Sequence, residues 1–154
     1  MDTKIETKFQ SSLVLKEVFV EKTIFTRNVA VPLQGKLVFD FNHEIEEKEL
    51  DEVHVRLHGE VKNDEGSIEV SATIFASFIA GFSGDYNDEI KKAVKENSTL
   101  AIMFPYLRTQ IALVSSQSGI NNLCVPAINI NAYLDAKKKQ AEEVPTPKKT
   151  MKKG

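Results

Sequence analysis

The sequence predicts an α+β protein in which two C-terminal helices pack on one side of a four-stranded antiparallel sheet. Two observations predict this class: apolar and polar residues alternate with a period of two through the first half of the chain, and apolar residues recur at helical spacing in the second half. Because the strands and helices are segregated along the chain, the sheet is expected to be antiparallel and covered by helices. The length of 154 residues suits one domain.

The first predicted strand covers residues 13–26, where apolar and β-branched residues dominate. Its alternation slips at Lys16-Glu17, which indicates a bulge or a sheet edge. Residues 27–36 contain a proline and a glycine and are predicted to form a loop. Three apolar side chains in this loop are expected to pack against another surface: Val29, Val31 and Leu33.

The second predicted strand covers residues 37–43, and the third covers residues 53–62 with clean alternation. The second strand places three apolar side chains on one face: Leu37, Phe39 and Phe41. Residues 44–52, between these strands, form an acidic run that is typical of a solvated turn. A turn that ends at Gly66, where a positive φ is available, leads into a fourth strand over residues 67–82.

Helical periodicity replaces the alternation in the second half. It predicts a short helix over residues 88–96 and a long one over residues 98–118, with Ser98 as N-cap and Gly119 just past its end. Pro105 is expected to kink the long helix or to mark an internal start. A last helix is predicted over residues 132–143, capped by the asparagine that precedes it, after an extended apolar segment.

The net charge of -2 hides an asymmetry along the chain. Residues 137–154 carry seven Lys and two Glu, a net +5, whereas residues 1–136 carry 13 Lys+Arg and 20 Asp+Glu, a net -7. We therefore expect a flexible N-terminus over residues 1–12, a folded domain over residues 13–143 and a disordered basic tail over residues 144–154. An acidic body argues against nucleic acid as a partner.

Other compositional features bear on where the protein acts. A single cysteine, Cys124, excludes an internal disulfide and suits a reducing compartment, so we expect a cytoplasmic location. Cys124 lies in an apolar segment, where a thiol is usually an inert core residue. No apolar run reaches 18 residues, which argues against direct insertion into a membrane.

The motifs that invite an enzymatic interpretation are weak. His54 and His58 have the spacing of a helical metal site, but on a strand four residues span roughly 13 Å, too far to grip one ion. The acidic run 44–52 lacks the glycine and the spacing of a calcium loop. The segment 81–84 is shorter than a nucleophile elbow, and no glycine-rich phosphate loop is present. The sequence therefore predicts a protein that is not an enzyme and has neither cofactor nor metal.

Three segments of the chain are specific enough to compare with known families. They are residues 103–108, Met-Phe-Pro-Tyr-Leu-Arg, in the long predicted helix, residues 125–130, Val-Pro-Ala-Ile-Asn-Ile, before the last helix, and residues 79–84, Ile-Ala-Gly-Phe-Ser-Gly, at the end of the fourth strand. Together they resemble the SecB family of protein-export chaperones, which has similar segments on its long helix, before its last helix and at the end of its fourth strand. The order and spacing of these elements match from about Leu13 to Leu134.

This resemblance implies a homotetramer, built as a dimer of dimers, that holds unfolded polypeptides in apolar grooves without ATP. By position, it implies that the groove is lined by the loop and the second strand: Val29, Val31, Leu33, Leu37, Phe39 and Phe41. It places four helix residues at the groove border or in an oligomer interface: Phe104, Tyr106, Leu107 and Ile111. The family also docks the SecA motor through acidic residues on its sheet, where this chain has Lys22, Thr26 and Val70.

Three functions are therefore compatible with the sequence. The first is a holdase for precursors in protein export, with SecA as a partner. The second is a SecB-like chaperone dedicated to one partner, such as an antitoxin of a toxin–antitoxin system, which the missing acidic residues favour. The third is a SecB-like scaffold or small-molecule-binding protein without a chaperone role.

Overall fold

The structure of the protein is a computed structural model that describes residues 12–32, 35–82, 86–117 and 123–143. Six elements follow one another along the chain. They are β1 (Leu13–Arg27), β2 (Leu37–Glu47), β3 (Glu52–Asn63), β4 (Ile68–Ala80), α1 (Asp88–Ser116) and α2 (Ile130–Glu142). No helix in the described ranges is long and apolar enough to cross a membrane.

The four strands form one antiparallel sheet in the order β1-β4-β3-β2, which confirms the predicted fold class. The two edges of this sheet differ. β1 pairs with β4 through two register shifts, one at the predicted slip between Leu15 and Glu17 and one between Val20 and Lys22. β2 pairs with β3 in unbroken register from Leu37 to Glu47. The β1 edge is therefore irregular, and the β2 edge is regular.

The hydrophobic core lies between the sheet and α1. Alternate residues of β3 and β4 supply one side of it, including the fully buried Leu57, Ile74 and Phe78. Every third or fourth residue of α1 supplies the other side, including Leu100 and Met103. α1 packs mainly over β4, β3 and β1. The helix-facing side of β2 therefore extends beyond the part of the sheet that α1 covers.

α1 is one continuous helix, which corrects the predicted break between residues 96 and 98. Its N-cap is Asn87, whose Oδ1 accepts a hydrogen bond from the N–H of Ile90 at 2.8 Å, and not Ser98. Burial of the apolar stripe outweighs the weak helix propensity of Asn97-Ser98-Thr99. Pro105 lies inside the helix and starts no new one; it is on the exposed face.

Two further boundaries differ from the predicted ones. β2 continues through the first part of the acidic run to Glu47, whose carboxylate pairs with Lys95 of α1 at 2.8 Å. The strand tolerates these charges because Glu44 and Glu46 face water on its outer side and Glu47 is paired with Lys95. α2 begins at Ile130, capped by Asn129 rather than Asn131, and Asn129 Oδ1 accepts from the N–H of Ala132 at 3.0 Å. Gly66 has the predicted positive φ, at 67°.

Some expectations concern residues beyond the described ranges. The predicted flexible N-terminus lies there apart from Ser12, and the basic tail 144–154 lies there entirely. Leu33 and Gly119 also lie outside the described residues.

Candidate polypeptide-binding groove

An apolar row lies on the helix-facing side of β2, at the edge of the sheet. Leu37 is 39% exposed, and Phe39 and Phe41 are half-buried, with their rings stacked at a centroid distance of 5.8 Å. Phe104 of α1 contacts both rings, at centroid distances of 6.2 Å to Phe39 and 5.7 Å to Phe41. The row is therefore anchored on one side by the core and is open on the other.

α2 covers the end of this row that is nearer the β2–β3 turn. The Tyr133 ring lies on Phe41 at a centroid distance of 4.1 Å, and the Tyr133 hydroxyl is 2.9 Å from His43 Nδ1. Lys137 adds a long contact of 3.5 Å from its Nζ to the carbonyl oxygen of His43. No residue of α2 is fully buried. α2 is therefore attached through Tyr133 with its polar neighbours and through Ile130 and Leu134, which are partly buried against the core.

Burial sets the electrostatics of this contact. It lowers the pKa of His43 below 6.5, with the Lys137 ammonium acting in the same direction and the Glu96 carboxylate opposing it. Burial also raises the pKa of Tyr133 to about 12. The hydroxyl therefore keeps its proton at neutral pH and can donate it to Nδ1 of a neutral imidazole.

The extended segment 123–129 borders the other end of the row. The carbonyl oxygen of Val125 accepts from Arg108 Nε at 2.9 Å, and the N–H of Leu123 donates to Ser115 Oγ at 2.9 Å, so α1 holds the segment in place. A cavity of about 110 Å³ separates it from β2, lined by Leu37, Phe39, Val61, Leu123, Cys124, Val125 and Pro126. Cys124 is exposed, which corrects the expectation of a core thiol.

The loop residues assigned to the groove lie in different environments. Val29 is 90% exposed, and Val31 is half-buried with its N–H bonded to the carbonyl oxygen of Asn28 at 3.2 Å. Leu33 is outside the described residues. The structure thus brings Leu37, Phe39 and Phe41 together in one row, and it leaves Val29 exposed to solvent.

The four helix residues assigned to a border or interface also differ. Leu107 and Ile111 are fully buried within the chain, and Phe104 is buried against the β2 row. Tyr106 is 44% exposed. It borders a second apolar groove, of about 430 Å³, between α1 and β1, lined by Val18, Phe19, Val20, Ile74, Pro105, Tyr106, Thr109 and Gln110.

The two histidines of the third strand lie on the opposite, outer face of the sheet. His54 Nε2 is 2.7 Å from a Glu52 carboxylate oxygen, and His58 Nδ1 is 2.9 Å from Thr73 Oγ1. Within the described ranges, no group of three or more His, Cys, Asp or Glu side chains could hold a metal ion.

Sequence reasoning missed Tyr133 and His43. A signal for Tyr133 was present, because Ile130, Tyr133, Leu134 and Lys137 recur at helical spacing on one face of α2. Nothing local marks His43 as its partner, because the two residues are 90 positions apart in sequence.

Comparison with protein-family models and with curated proteins gave no match. Among solved structures, the chain is similar to the SecB-like chaperone Rv1957 of Mycobacterium tuberculosis, determined in complex with a ChAD peptide from the HigA1 antitoxin. The TM-score is 0.57 at 14% identity, covering 76% of this chain and 91% of that one. A protein of unknown function from Streptococcus agalactiae matches with a TM-score of 0.45 at 12% identity, covering 75% and 97%. From the topology and the Mycobacterium tuberculosis structure, the chain has a SecB-like fold.

Proposed function

We propose that this protein is a chaperone that binds unfolded polypeptides without ATP in a groove along the helix-facing side of β2, here called the β2 groove, whose floor is the apolar row Leu37, Phe39 and Phe41. The observation that carries the proposal is the partly exposed apolar row Leu37, Phe39 and Phe41 at a sheet edge. Burial of apolar surface contributes roughly 25 cal/mol per Å², and it does not depend on a particular client sequence. Because binding removes only the unfolded form, it shifts folding equilibria by mass action.

A homotetramer would multiply such weak sites on one particle. Several linked grooves bind one extended chain more tightly than any groove does alone, because the later contacts are intramolecular. The apolar groove between α1 and β1, with Tyr106 exposed on its border, supports a self-association surface there. We place this activity in the cytoplasm and assign it no catalytic residue, cofactor or metal.

Two kinds of client fit this proposal. Precursors in protein export would require delivery to SecA, and Glu17 and Glu69 are acidic residues on the outer face of the sheet that could contribute. One dedicated client, such as an antitoxin, is favoured by two observations. Rv1957 was solved with an antitoxin peptide, and Lys22 and Thr26, two positions aligned with the SecA dock, are exposed on the outer face of the sheet and carry no negative charge.

Introducing negative charge into the apolar row of β2 tests whether this row binds clients. Phe39→Asp combined with Phe41→Asp should abolish the suppression of aggregation of an unfolded client, measured by light scattering. Leu50→Asp with Ile90→Asp is the matched control, because these residues are 91% and 48% exposed and neither is assigned to the groove. Oligomer mass and the circular dichroism spectrum should be those of the wild type. Full holding by the Phe double variant would refute the groove assignment.

Capture of clients from cells separates the two kinds of client. Many bound precursors together with binding of purified SecA would support an export holdase. A single bound partner, without SecA, would support a dedicated chaperone. A protein that suppresses no aggregation and captures no polypeptide would refute the chaperone proposal.

A further inference from the structure

We propose that α2 is a proton-controlled latch: when His43 takes up a proton, α2 leaves β2 and uncovers the Phe41 end of the β2 groove. The gain in client binding that follows from this release rests on the proposed chaperone function, whereas the release itself does not. Three features carry the inference. The His43 side chain is bonded to α2, two clefts meet at His43, and α2 has no fully buried residue and presents like charge to the imidazole.

The His43 side chain links β2 to α2. Its Nδ1 is 2.9 Å from the Tyr133 hydroxyl, and the Tyr133 ring lies on Phe41 at a centroid distance of 4.1 Å. A neutral imidazole can accept the hydroxyl proton at Nδ1, but a protonated imidazole carries a hydrogen on both nitrogens and can only donate. Protonation of His43 therefore ends the hydrogen bond in which Tyr133 donates, and it leaves the hydroxyl proton without this acceptor.

Two clefts meet at His43, so that a proton can reach it in the folded protein. One cleft, of about 610 Å³, lies between β2 and the first half of α1, and the other, of about 370 Å³, lies between α1 and α2. His43, Lys92 and Glu96 line both of them. The second cleft runs between Ala93 of α1 and Ala141 of α2, so the two helices are not closely packed there. α2 can therefore move away without opening the core, which lies between the sheet and α1.

The charged groups around His43 favour the release of α2. α1 presents three acidic and three basic side chains to the two clefts: Asp88, Glu89, Glu96, Lys91, Lys92 and Lys95. β2 adds Glu47, which is paired with Lys95 at 2.8 Å, and β3 places the uncharged Leu57 opposite His43. Among the described residues that line the clefts, α2 presents Lys137 and Lys138 and no acidic side chain. A positive charge on His43 is therefore repelled mainly by α2.

The direction of the effect follows from the pKa of His43. With α2 in place, burial lowers this pKa below 6.5, the Lys137 ammonium lowers it further, and the Glu96 carboxylate opposes them. Burial raises the pKa of Tyr133 to about 12, so its hydroxyl stays neutral throughout. Release of α2 removes the Tyr133 ring and the Lys137 ammonium from His43 and therefore raises the His43 pKa. The released state thus binds the proton more tightly, so α2 stays in place above pH 6.5 and is released as the pH falls toward the lowered pKa.

NMR of isotope-labelled tyrosine rings in the full-length protein tests the release directly. The chain has three tyrosines, so the Tyr133 signal is the one that is lost in Tyr133→Phe. The ring current of Phe41 shifts this signal when α2 is in place, and the shift should decrease as the pH falls from about 7.5 to about 5.5. In His43→Gln, whose amide oxygen can accept from Tyr133 but does not titrate, the shift should stay constant. A Tyr133 signal that does not change with pH in the wild type would overturn the proposal.

Neutral substitutions on α2 test the repulsion. Lys137→Gln removes the ammonium that lies 3.5 Å from the carbonyl oxygen of His43, so the Tyr133 signal should change less between the two pH values than in the wild type. Lys138→Gln is the matched control, because it removes the same charge from the neighbouring exposed residue, which does not act on the pKa of His43 as Lys137 does. It should keep the wild-type change. Equal changes in the two variants would overturn the role of Lys137 in the latch.

Binding of a permanently unfolded probe, a reduced and carboxymethylated protein, tests the consequence for clients. The wild type should bind it roughly two- to tenfold more tightly at about pH 5.5 than at about pH 7.5, because the uncovered Phe41 ring adds one aromatic contact. His43→Gln accounts for changes in the charge of the probe itself, and its affinity should change less. Equal changes in the two proteins would overturn the link between release and binding. If the wild type binds the probe at neither pH, the proposed function fails, and the Tyr133 signal alone supports or overturns the latch.

Discussion

The Tyr133 ring of α2 lies on the Phe41 ring of β2 at a centroid distance of 4.1 Å, in the closest aromatic contact among the described residues. The Tyr133 hydroxyl is also 2.9 Å from Nδ1 of His43, which lies two residues further along β2 on the same helix-facing side. α2 has no fully buried residue, and this pair of contacts holds the helix on the sheet together with the partly buried Ile130 and Leu134.

Tyr133→Ala should therefore release α2 while leaving the sheet intact. An aromatic pair contributes about 0.5–1.5 kcal/mol beyond its buried area, so amide exchange in α2 should accelerate roughly tenfold. Hydrogen exchange read by mass spectrometry checks this, with protection in β3 and β4 expected to stay unchanged. Tyr133→Phe is the control, since it keeps the ring and loses only the hydroxyl. Unaltered protection in α2 of the alanine variant would contradict the prediction.

The contact should also depend on pH through His43. Its folded-state pKa lies below 6.5, first through burial and then through Lys137. Because the pKa of His43 is lower in the folded than in the unfolded state, the unfolded state binds the proton more tightly. The folded protein therefore keeps its full stability above pH 6.5, where His43 is neutral in both states, and loses stability as the pH falls toward the folded-state pKa.

Urea unfolding at about pH 7.5 and about pH 5.5 measures this effect, in the wild type and in His43→Gln. The wild type should lose more stability between these two pH values than the glutamine variant. The carboxyls with lowered pKa values, Glu46, Glu47 and Glu52, start from 4.5 and titrate below this window in both proteins. An equal loss in the two proteins would show that His43 does not carry the dependence.

Local patterns were enough to predict the sheet but not the continuity of α1. Alternation identifies a strand because it directly reports which face is buried, and the slip near Lys16 correctly marked a register shift. The segment Asn97-Ser98-Thr99 looks like a helix boundary, yet Thr99 is fully buried and its Oγ1 bonds to the carbonyl oxygen of Lys95 at 2.6 Å. Burial against the rest of the protein makes this segment helical, and a local sequence pattern cannot indicate that burial.

The candidate site was predictable in the same uneven way. The row Leu37, Phe39 and Phe41 follows from alternation alone, whereas its contacts with Phe104 and Tyr133 depend on how remote elements pack. Cys124 was misjudged because an apolar neighbourhood in sequence was taken to mean burial. Its segment is extended and has two sides, so Val125 is buried while Cys124 is exposed.

The β3–β4 turn should depend on one buried amide. Asn63 Oδ1 accepts from the N–H of Ser67 at 3.0 Å and of Ile68 at 3.3 Å, and its Nδ2 donates to Ser67 Oγ. Asn63→Ala leaves buried donors unsatisfied and should lower the free energy of unfolding by about 1–3 kcal/mol. Denaturant unfolding measures the loss, and Asp64→Ala in the same exposed turn should change stability far less. Equal effects from the two substitutions would argue against the amide network.

Leu107 of α1 lies so close to Gly59 of β3 that position 59 should not accommodate a side chain without a shift. A Cβ built on Gly59 would lie 2.6 Å from Leu107 Cδ2, and Leu107 is fully buried. Gly59→Ala should therefore destabilise the protein by about 1–3 kcal/mol through overpacking. Leu107→Ala alone should cost about 2–5 kcal/mol by leaving a cavity. In the Leu107→Ala background the added methyl group has space, so Gly59→Ala should cost less there, which a double-mutant cycle on urea unfolding measures directly. Strictly additive effects would mean that the helix moves away from the sheet instead of clashing with the new methyl group.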